Sequence, residues 1–488
     1  MSDSPSNSVK VLGAGLAGSE AALTLARFGV DVDLYEMRPV KMTPAHQTGD
    51  FGELVCSNSL KSESPNTAPW LLKQEMRRAG SALLRCADQS AVPAGHALAV
   101  DRVLFSANIK AAIEAEPRIT LHREEVTHID EANGLTIVAT GPLTSDALSA
   151  DIPRLTGSAH LAFYDSISPI VEKDSIDFSR VYYAARWDKG TADYINCPFT
   201  KEEYDRFLDA LIAGEPADAH EWERLNYFEG CLPIEVTARR GRDTLRFGPM
   251  KPVGLRDPRT GKIPHAVVQL RSENLRADSY NLVGFQNHLK WSDQARVLRL
   301  IPGLENAKFL RYGQIHRNTY LNAPTQLAET LQLRRQPNLF FAGQICGVEG
   351  YTESIAAGLL AAIYAVHLAR NTDKNVCATA SLDGFGDICG TDTPLHLGDV
   401  CNTDIPVCVA PRSTALGSLI HYITHADAKN FQPANITFDL LPQLPEEVRR
   451  KVRDKKERHR LVCESALAAF DQWWRTSSQT ILAGREEW

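Results

Sequence analysis

The chain has 488 residues, 43% apolar and 23% charged, with a formal net charge of −7 and ten cysteines. Its length implies about two or three domains of ordinary globular composition. The acidic balance excludes a protein that is basic over its whole surface. The polar start MSDSPSNSVK carries no secretory pattern, and the cysteines show neither Cys-x-x-Cys nor a framework spacing, so the expectation is a soluble, cytoplasmic chain with reduced thiols and no metal centre.

The first elements form one unit. Val9 to Leu12 reads as a buried parallel strand and is followed by Gly13, Gly15 and Gly18. A helical pattern with Ala21, Ala22, Leu25 and Phe28 on one side ends near Gly29, and a second strand, Val32 to Tyr35, closes on Glu36. The spacing is that of a dinucleotide-binding βαβ unit. Gly13 permits the tight turn, Gly15 lets the backbone approach a pyrophosphate, and Gly18 allows close helix–strand packing. The candidate cofactor cradle is therefore Gly13, Ala14, Gly15, Leu16, Ala17 and Gly18, with Glu36 placed to accept hydrogen bonds from a ribose hydroxyl.

Next comes FGELVCSNSLKS, Phe51 to Ser62, whose Cys56 has no second cysteine near it. Ser57 and Asn58 are good N-caps before an apolar stretch, which predicts Cys56 near a helix N-terminus. LTIVATGPLTS, from Leu135, and PNLFFAGQICGVEGYTESIAAGLLAA, from Pro337, each read as a strand running into a glycine-bearing loop; in the second, the strand ends at Gly343. The longest apolar run, Ser354 to Ala369, is short for a membrane span and rich in Ala and Gly, so it reads as a buried helix. These returning pieces favour a flavin over a free nicotinamide. The predicted fold is α/β: a discontinuous Rossmann-like FAD-binding domain of the two-dinucleotide-binding class, residues 1–150 and 331–440, carrying an inserted α+β domain, residues 151–330.

The insertion mixes strand-like runs, RVYYAAR and HAVVQLR, with a helical acidic one, TKEEYDRFLDALIAG. Asn375 to Cys408 is a loop-like excursion with four cysteines that match no zinc template. From Pro445 on, Val448, Val452, His459, Cys463, Ala466, Phe470 and Trp474 recur near helical spacing, which predicts one long basic amphipathic helix within residues 441–488. RRKVRDKKERHR and TARRGRDTLRFG are basic stretches that keep a polyanionic partner open.

Five blocks together resemble one family closely over nearly the whole chain: VLGAGLAGSEAA, FGELVCSNSLKSESPNTAPWLLKQEMRRAGS, YFEGCLPIEVTARRGRDTLRFGPMKPVGL, FAGQICGVEGYTESIAAGLLAA and ITHADAKNFQPANITFDLLP. The family is TrmFO, the folate- and FAD-dependent tRNA (uracil-5-)-methyltransferases, which is related to the GidA flavoproteins. The excursion departs from the family, which is usually shorter there. The resemblance implies ribothymidine formation in the T-loop of tRNA. The methylene carbon would come from 5,10-methylenetetrahydrofolate and the electrons from FAD recharged by NADH or NADPH. It also implies two working cysteines, which match Cys56 and Cys231 here.

That chemistry needs a thiolate to add at uracil C6, so that C5 becomes nucleophilic, and a base to take the C5 proton afterwards. A thiol of ordinary pKa is only about 3% ionised at neutral pH, so the working cysteine needs activation. Arg239, Arg240 and Arg242 would supply it for Cys231, and a helix N-terminus for Cys56; the sequence ranks neither environment above the other. The assignment preferred here makes Cys231 the C6 nucleophile and Cys56 the base or covalent helper beside the flavin. The target uridine must be exposed by phosphate contacts around the pocket, for which Lys61, Arg239, Arg240, Arg242, Arg246 and the terminal basic helix are candidates. The competing expectations are a GidA-type enzyme acting on the wobble uridine, an RNA-independent flavin oxidoreductase, and a flavin-binding tRNA scaffold without catalysis. Oligomeric state has no signature in the sequence.

Overall fold

The computed structural model describes residues 8–130, 134–157, 161–166, 168–217, 232–313, 315–375 and 409–482. Cys231 and all of the cysteine-bearing excursion after Asn375 lie outside these residues.

The chain opens with the strand Val9–Leu12, the helix Leu16–Arg27 and the strand Val32–Tyr35. The two strands pair in parallel, because the helix between them can cross back only over one face of the sheet. Ile119–His122 adds in parallel beyond Val32–Tyr35, and Thr136–Val138 adds on the other side of Val9–Leu12. The returning strand Gln336–Phe341 joins Thr136–Val138, again in parallel, and short Gln332–Leu333 closes that edge antiparallel. The result is a six-stranded sheet in which the C-terminal ends of the parallel strands all open toward one side. A strand from the last third of the described chain thus sits inside the first sheet, as expected of a discontinuous nucleotide-binding fold.

The apolar run belongs to a longer helix than expected, Tyr351–Asn375. Its segment Tyr351–Ala369 is long and apolar enough to cross a membrane by composition, yet 83% of it is buried inside the fold. It packs on Leu16–Arg27 so closely that a Cβ on Gly358 would stand 2.2 Å from the Ala17 carbonyl oxygen.

The middle of the chain builds a second, antiparallel sheet. Its order is Tyr182–Tyr183, Ile195–Phe199, Ala266–Ser272, Ser279–Leu282, Ile170–Glu172 and Phe309–Arg311. The helix Lys201–Ile212 covers it, started by a capping box between Thr200 and Glu203. A two-stranded antiparallel ribbon, Leu161–Ser166 with Ile315–Tyr320, joins the two parts. One hydrophobic core gathers residues from Val9 to Leu155 and from Tyr320 to Trp473; a second gathers Val171 to Ala307.

The C-terminal segment is two helices, not one: Glu446–Lys451 and Lys455–Leu482. The break has a local cause. Val452 leaves helical geometry (φ −100°, ψ 100°), and the Asp454 carboxylate then accepts the Lys456 N–H, capping a new start. Cys463, Ala466, Phe470 and Trp473 fill the core, while Val448 and Val452, before the break, stay half-buried.

Candidate active site

The glycine turn after the first strand has the geometry its spacing predicts. Gly13 adopts φ +95°, and a Cβ there would stand 2.7 Å from the Ala139 carbonyl oxygen. A Cβ on Gly18 would fall 1.7 Å from the Gly13 carbonyl oxygen, so only glycine lets the helix leave the strand this tightly. Gly15 differs, since a Cβ there would meet nothing within 4 Å. The space above it is open, although the fold around it is dense. Gly15 is also the N-cap of Leu16–Arg27 and supplies no side-chain hydrogen bond, so the helix keeps N–H groups for an anion. Ala14 and Ala17 are buried under the turn, and Leu16 is half-buried. Gly343 (φ +79°) closes from the returning strand, its missing Cβ 2.7 Å from that of Ala17. An open glycine over an uncapped helix start fits the pyrophosphate of a dinucleotide.

Glu36 lines the same open cleft, between Gly13, Gly15, Tyr35, Arg38, Thr140 and Thr144. Its carboxylate is already well occupied. Oε2 accepts the Ala14 N–H at 2.9 Å, and Oε1 accepts the Arg38 backbone N–H and Nε, both at 3.0 Å. Burial pushes this carboxyl up, but Arg38 outweighs it and holds it below its ordinary value. A ribose hydroxyl has room only by replacing the longest contact, Arg38 Nη2 to Oε2 at 3.4 Å.

Cys56 does not precede a helix. Ser59–Ser62 is a strand paired antiparallel with Ala97–Val100, and the next helix, Ala68–Arg78, begins only after Thr67. Asn58 caps nothing; it is fully buried and bridges outward. Its Nδ2 donates to the Val100 and Ser272 carbonyl oxygens at 3.0 and 2.9 Å, and its Oδ1 accepts Arg271 Nε at 2.9 Å and Asn281 Nδ2 at 3.2 Å. The cysteine loop is thereby bolted onto the inserted sheet, and Cys56 lies on the seam between the two parts of the molecule.

What surrounds Cys56 comes from four distant stretches. The Tyr351 hydroxyl oxygen accepts the Cys56 N–H at 2.7 Å and the Ser57 N–H at 3.2 Å. Burial, then the Cys56 sulfur, pushes the Tyr351 phenol up, so its own hydrogen stays in place to be donated. Arg102 donates Nη2 to the Cys56 carbonyl oxygen at 3.4 Å, Nη1 to the Leu54 carbonyl oxygen, and Nε to Glu273 of the inserted sheet. Burial opposes the Arg102 charge, yet Glu273 first, with Tyr351 and Cys56 behind it, holds the guanidinium above its ordinary value. Arg311 is lowered by burial and by Arg102, with Tyr351 and Cys56 pulling the other way. Its Nε is buried without a hydrogen-bond partner among the described residues. Two guanidiniums thus stand within electrostatic reach of one thiol and favour its anion. The helix predicted to follow Cys56 is not there, and the charged groups that act on the thiol among the described residues include Arg102 and Arg311.

The other candidate residues separate. Lys61 (φ +64°) turns inward, with Nζ 2.6 Å from both Glu353 Oε1 and Asn435 Oδ1, beneath the start of the Tyr351 helix. Arg242 bridges Asp209 at 2.6 Å and Asp205 at 3.1 Å. Arg246 bonds Asp243 and the His265 carbonyl oxygen. Arg239 and Arg240 are exposed at the end of the helix Ile234–Arg239. In the terminal helices, Arg450 pairs with Glu446, and Arg460 with Glu457 and Glu464. Tyr351, Arg102, Glu273 and Arg311 were not singled out in the sequence. The only available signal was the position of Tyr351 at the end of the glycine loop that follows Gly343.

Comparison with known proteins agrees with this architecture. The model of the family described as glucose inhibited division protein A matches residues 8–373. In three dimensions the chain is similar to GidA of Aquifex aeolicus, with a TM-score of 0.64 at 18% identity over 98% of this chain and 75% of that one. Among curated proteins it is 67% identical to methylenetetrahydrofolate–tRNA-(uracil-5-)-methyltransferase TrmFO of Koribacter versatilis, over 96% of this chain and 98% of that protein. It is 51% identical to the protein of the same name from Enterococcus faecalis, over 94% and 97%. At such identity over nearly the full length of both partners, the chain belongs to the TrmFO family, within the wider GidA family.

Proposed function

We propose that this chain is the folate- and FAD-dependent methyltransferase that makes ribothymidine in the T-loop of tRNA, in the cytoplasm. The observation that carries this reading is the 67% identity, over nearly the whole chain, to a protein named for methylenetetrahydrofolate–tRNA-(uracil-5-) methylation. The open glycine turn supports it. Gly13, Gly15, Gly18 and Gly343 hold the dinucleotide, and residues 1–150 and 331–440 form the domain that carries it. When bound, FAD supplies the reducing equivalents that complete the methyl group, and NADH or NADPH restores them.

The chain's own work is thiol and proton chemistry. Cys231 adds its sulfur to uracil C6, making C5 nucleophilic toward the methylene carbon of 5,10-methylenetetrahydrofolate. Cys56, its anion favoured by Arg102 and Arg311, takes the C5 proton, which lets tetrahydrofolate leave the new methylene carbon; the hydride equivalent that bound FAD would supply reduces that carbon as the Cys231 sulfur leaves C6. Tyr351 fixes the backbone at Cys56 and Ser57 and keeps its O–H for an oxygen of the substrate. Arg311, with its buried unbonded Nε, is the group placed to meet an anionic or carbonyl oxygen. Arg239 and Arg240 meet RNA phosphate.

The test is ribothymidine formation on unmodified tRNA supplied with 5,10-methylenetetrahydrofolate and NADPH. No product sinks the reading, a methylene-derived group on the wobble uridine instead favours the GidA-type reaction, and steady NADPH oxidation indifferent to RNA favours a simple oxidoreductase. RNA carrying 5-fluorouracil then separates the cysteines. Cys231→Ala abolishes the covalent adduct, whereas Cys56→Ala retains adduct formation and loses turnover.

A further inference from the structure

Outside the residues that line the cleft, two histidines one turn apart face a glutamate from a distant segment. His421 and His425 lie on the helix Ala415–His425 at the i, i+4 spacing that puts both on one face. Their imidazoles stack, with centroids 4.2 Å apart and planes 17° off parallel. Glu329 reaches them from 92 residues earlier: its Oε1 is 2.9 Å from His421 Nδ1 and 3.5 Å from His425 Nδ1. One donor atom from each of the three lies within 4.8 Å of the others.

We propose that Glu329, His421 and His425 form a binding site for a divalent transition-metal ion, of which Zn²⁺ is the fitting representative. The donor chemistry selects the class. Two imidazole nitrogens and one carboxylate oxygen suit zinc and its neighbours and do not suit Mg²⁺ or Ca²⁺, which take oxygen cages. The carboxylate–imidazole spacing fits as well. A tetrahedral ion with metal–ligand bonds of about 2.0–2.1 Å sets its ligands roughly 3.4 Å apart, between the two separations observed. In the free protein His425 Nδ1 also faces the His421 carbonyl oxygen at 3.2 Å and Thr424 Oγ1 at 3.0 Å, and the two ring planes run nearly parallel, so the ion takes both Nδ1 lone pairs once the ring protons move to Nε2 and the rings turn out of their stack. The side chains keep 30%, 48% and 39% of their surface for His421, His425 and Glu329, which leaves the fourth position to water. The ion ties the segment before Gln332–Leu333 to the first helix of the described chain after residue 408. Because it closes a long loop, bound metal stabilises the fold. The site is independent of the methylation chemistry.

The test uses the full-length flavoprotein, stripped with a chelator and titrated with Zn²⁺ against a chromophoric competitor, in parallel with His421→Ala and Glu329→Ala chains. Other cysteines can take up zinc, so the readout is the difference between wild type and variant. The variants are expected to lose one equivalent, or to bind it more than about 100-fold more weakly, since loss of a group outside the ligand set already costs 10–100-fold. Co²⁺ at the wild-type site shows d–d absorption without a thiolate charge-transfer band, and that absorption disappears in the variants. Zn²⁺ raises the thermal midpoint of the wild type only. Flavin content and ribothymidine formation stay unchanged in both variants, which certifies that they fold. Equal zinc stoichiometry and affinity in wild type and in the folded Glu329→Ala chain overturns the site and leaves the cluster as a surface ion pair.

Discussion

In the nucleotide cradle the tightest contact runs between backbone atoms five residues apart, Gly18 against the Gly13 carbonyl oxygen, with Gly15 starting the helix between them; Ala139 and Gly343 only close it from neighbouring strands. The Cys56 seam is assembled from far away. Cys56 is held by Tyr351 across 295 residues, Asn58 by Ser272 across 214, and Arg102 by Glu273 across 171. The first region is shaped by what is missing, a Cβ at each glycine. The second depends on charged and polar side chains that each need a partner. One should therefore fail by steric collision, the other by leaving a buried group unpaired.

The cradle gives the largest effect. Gly18→Ala puts a methyl 1.7 Å from a carbonyl oxygen, which neither strand nor helix can accommodate without separating. The expected cost exceeds about 4 kcal/mol, seen as loss of soluble flavin-bearing protein. Gly15→Ala sharpens the point, because its methyl meets no protein atom. The apoprotein should lose no more than about 1 kcal/mol at the helix cap, while flavin affinity falls sharply. A Gly15→Ala protein that binds FAD as tightly as the wild type would show that the open space is not ligand space.

At the seam, Glu273→Gln leaves Arg102 buried beside Leu54 and Cys56 with its carboxylate partner gone. Removing one member of a buried pair costs about 3–5 kcal/mol, so urea unfolding should shift by that much. Flavin binding at the cradle should survive, while methylation falls with Cys56 displaced. Parallel loss of flavin and methylation would mean that the two regions are not separable.

The difference in construction also explains what could be read from the amino-acid sequence. Gly13, Gly15, Gly18 and Glu36 announce themselves because turn, helix and second strand occupy one short stretch whose residue types are dictated by local geometry. The buried run beginning at Ser354 was legible for the same reason, though its helix begins at Tyr351 and ends at Asn375. Arg102 and Glu273 look like any surface charges in the sequence; only the fold makes them a pair. Ser57 and Asn58 misled for a related reason. Both are good caps in isolation, but the carbonyl groups of Val100 and Ser272 claimed the Asn58 amide, and the strand Ala97–Val100 claimed the segment after it. Arg38, two residues past Glu36, was within reach of sequence reasoning, as an obvious partner for a buried acid.

A third kind of support sits behind both regions. Glu75 is fully buried and accepts the Ala415 and Leu416 N–H groups at 2.8 and 2.9 Å, capping the helix Ala415–His425 from another element. Burial raises its pKa from 4.5 to about 8 against those two donors. Between these values the folded chain holds more protons than the unfolded one. Its contribution is therefore complete below the lower value and is lost as pH rises toward the upper. Each tenfold difference in proton affinity between the folded and unfolded chain is worth about 1.4 kcal/mol, so the decline amounts to roughly a few kcal/mol. Glu75→Gln, which cannot ionise, should flatten it in thermal midpoints taken from about pH 5 to about pH 8; an unchanged slope would mean that another group carries it. Tyr351→Phe is smaller, about 1–3 kcal/mol for two N–H groups left without their acceptor. It should reduce turnover on tRNA far more than flavin content.

The smallest effect is expected at Arg242, where the contrast reaches the proposed RNA-facing side of the inserted part. Its guanidinium already spans Asp205 and Asp209, and Asp205 is shared with Lys201 at 2.7 Å. A charge so paired must abandon two carboxylates before it can displace a counterion from RNA. Arg242→Ala should therefore leave the slope of log affinity against log salt for tRNA almost unchanged, whereas a phosphate-binding arginine takes about one unit from it. Arg239, whose Nη2 donates to the Ile212 carbonyl oxygen at 3.4 Å, and Arg240 are exposed on the adjacent helix end; if they meet phosphate as proposed, each takes about one unit when replaced by alanine. If Arg242→Ala costs the full unit, its aspartates are released on RNA binding, and a bridge that looks structural in the free protein is a latch opened by the substrate.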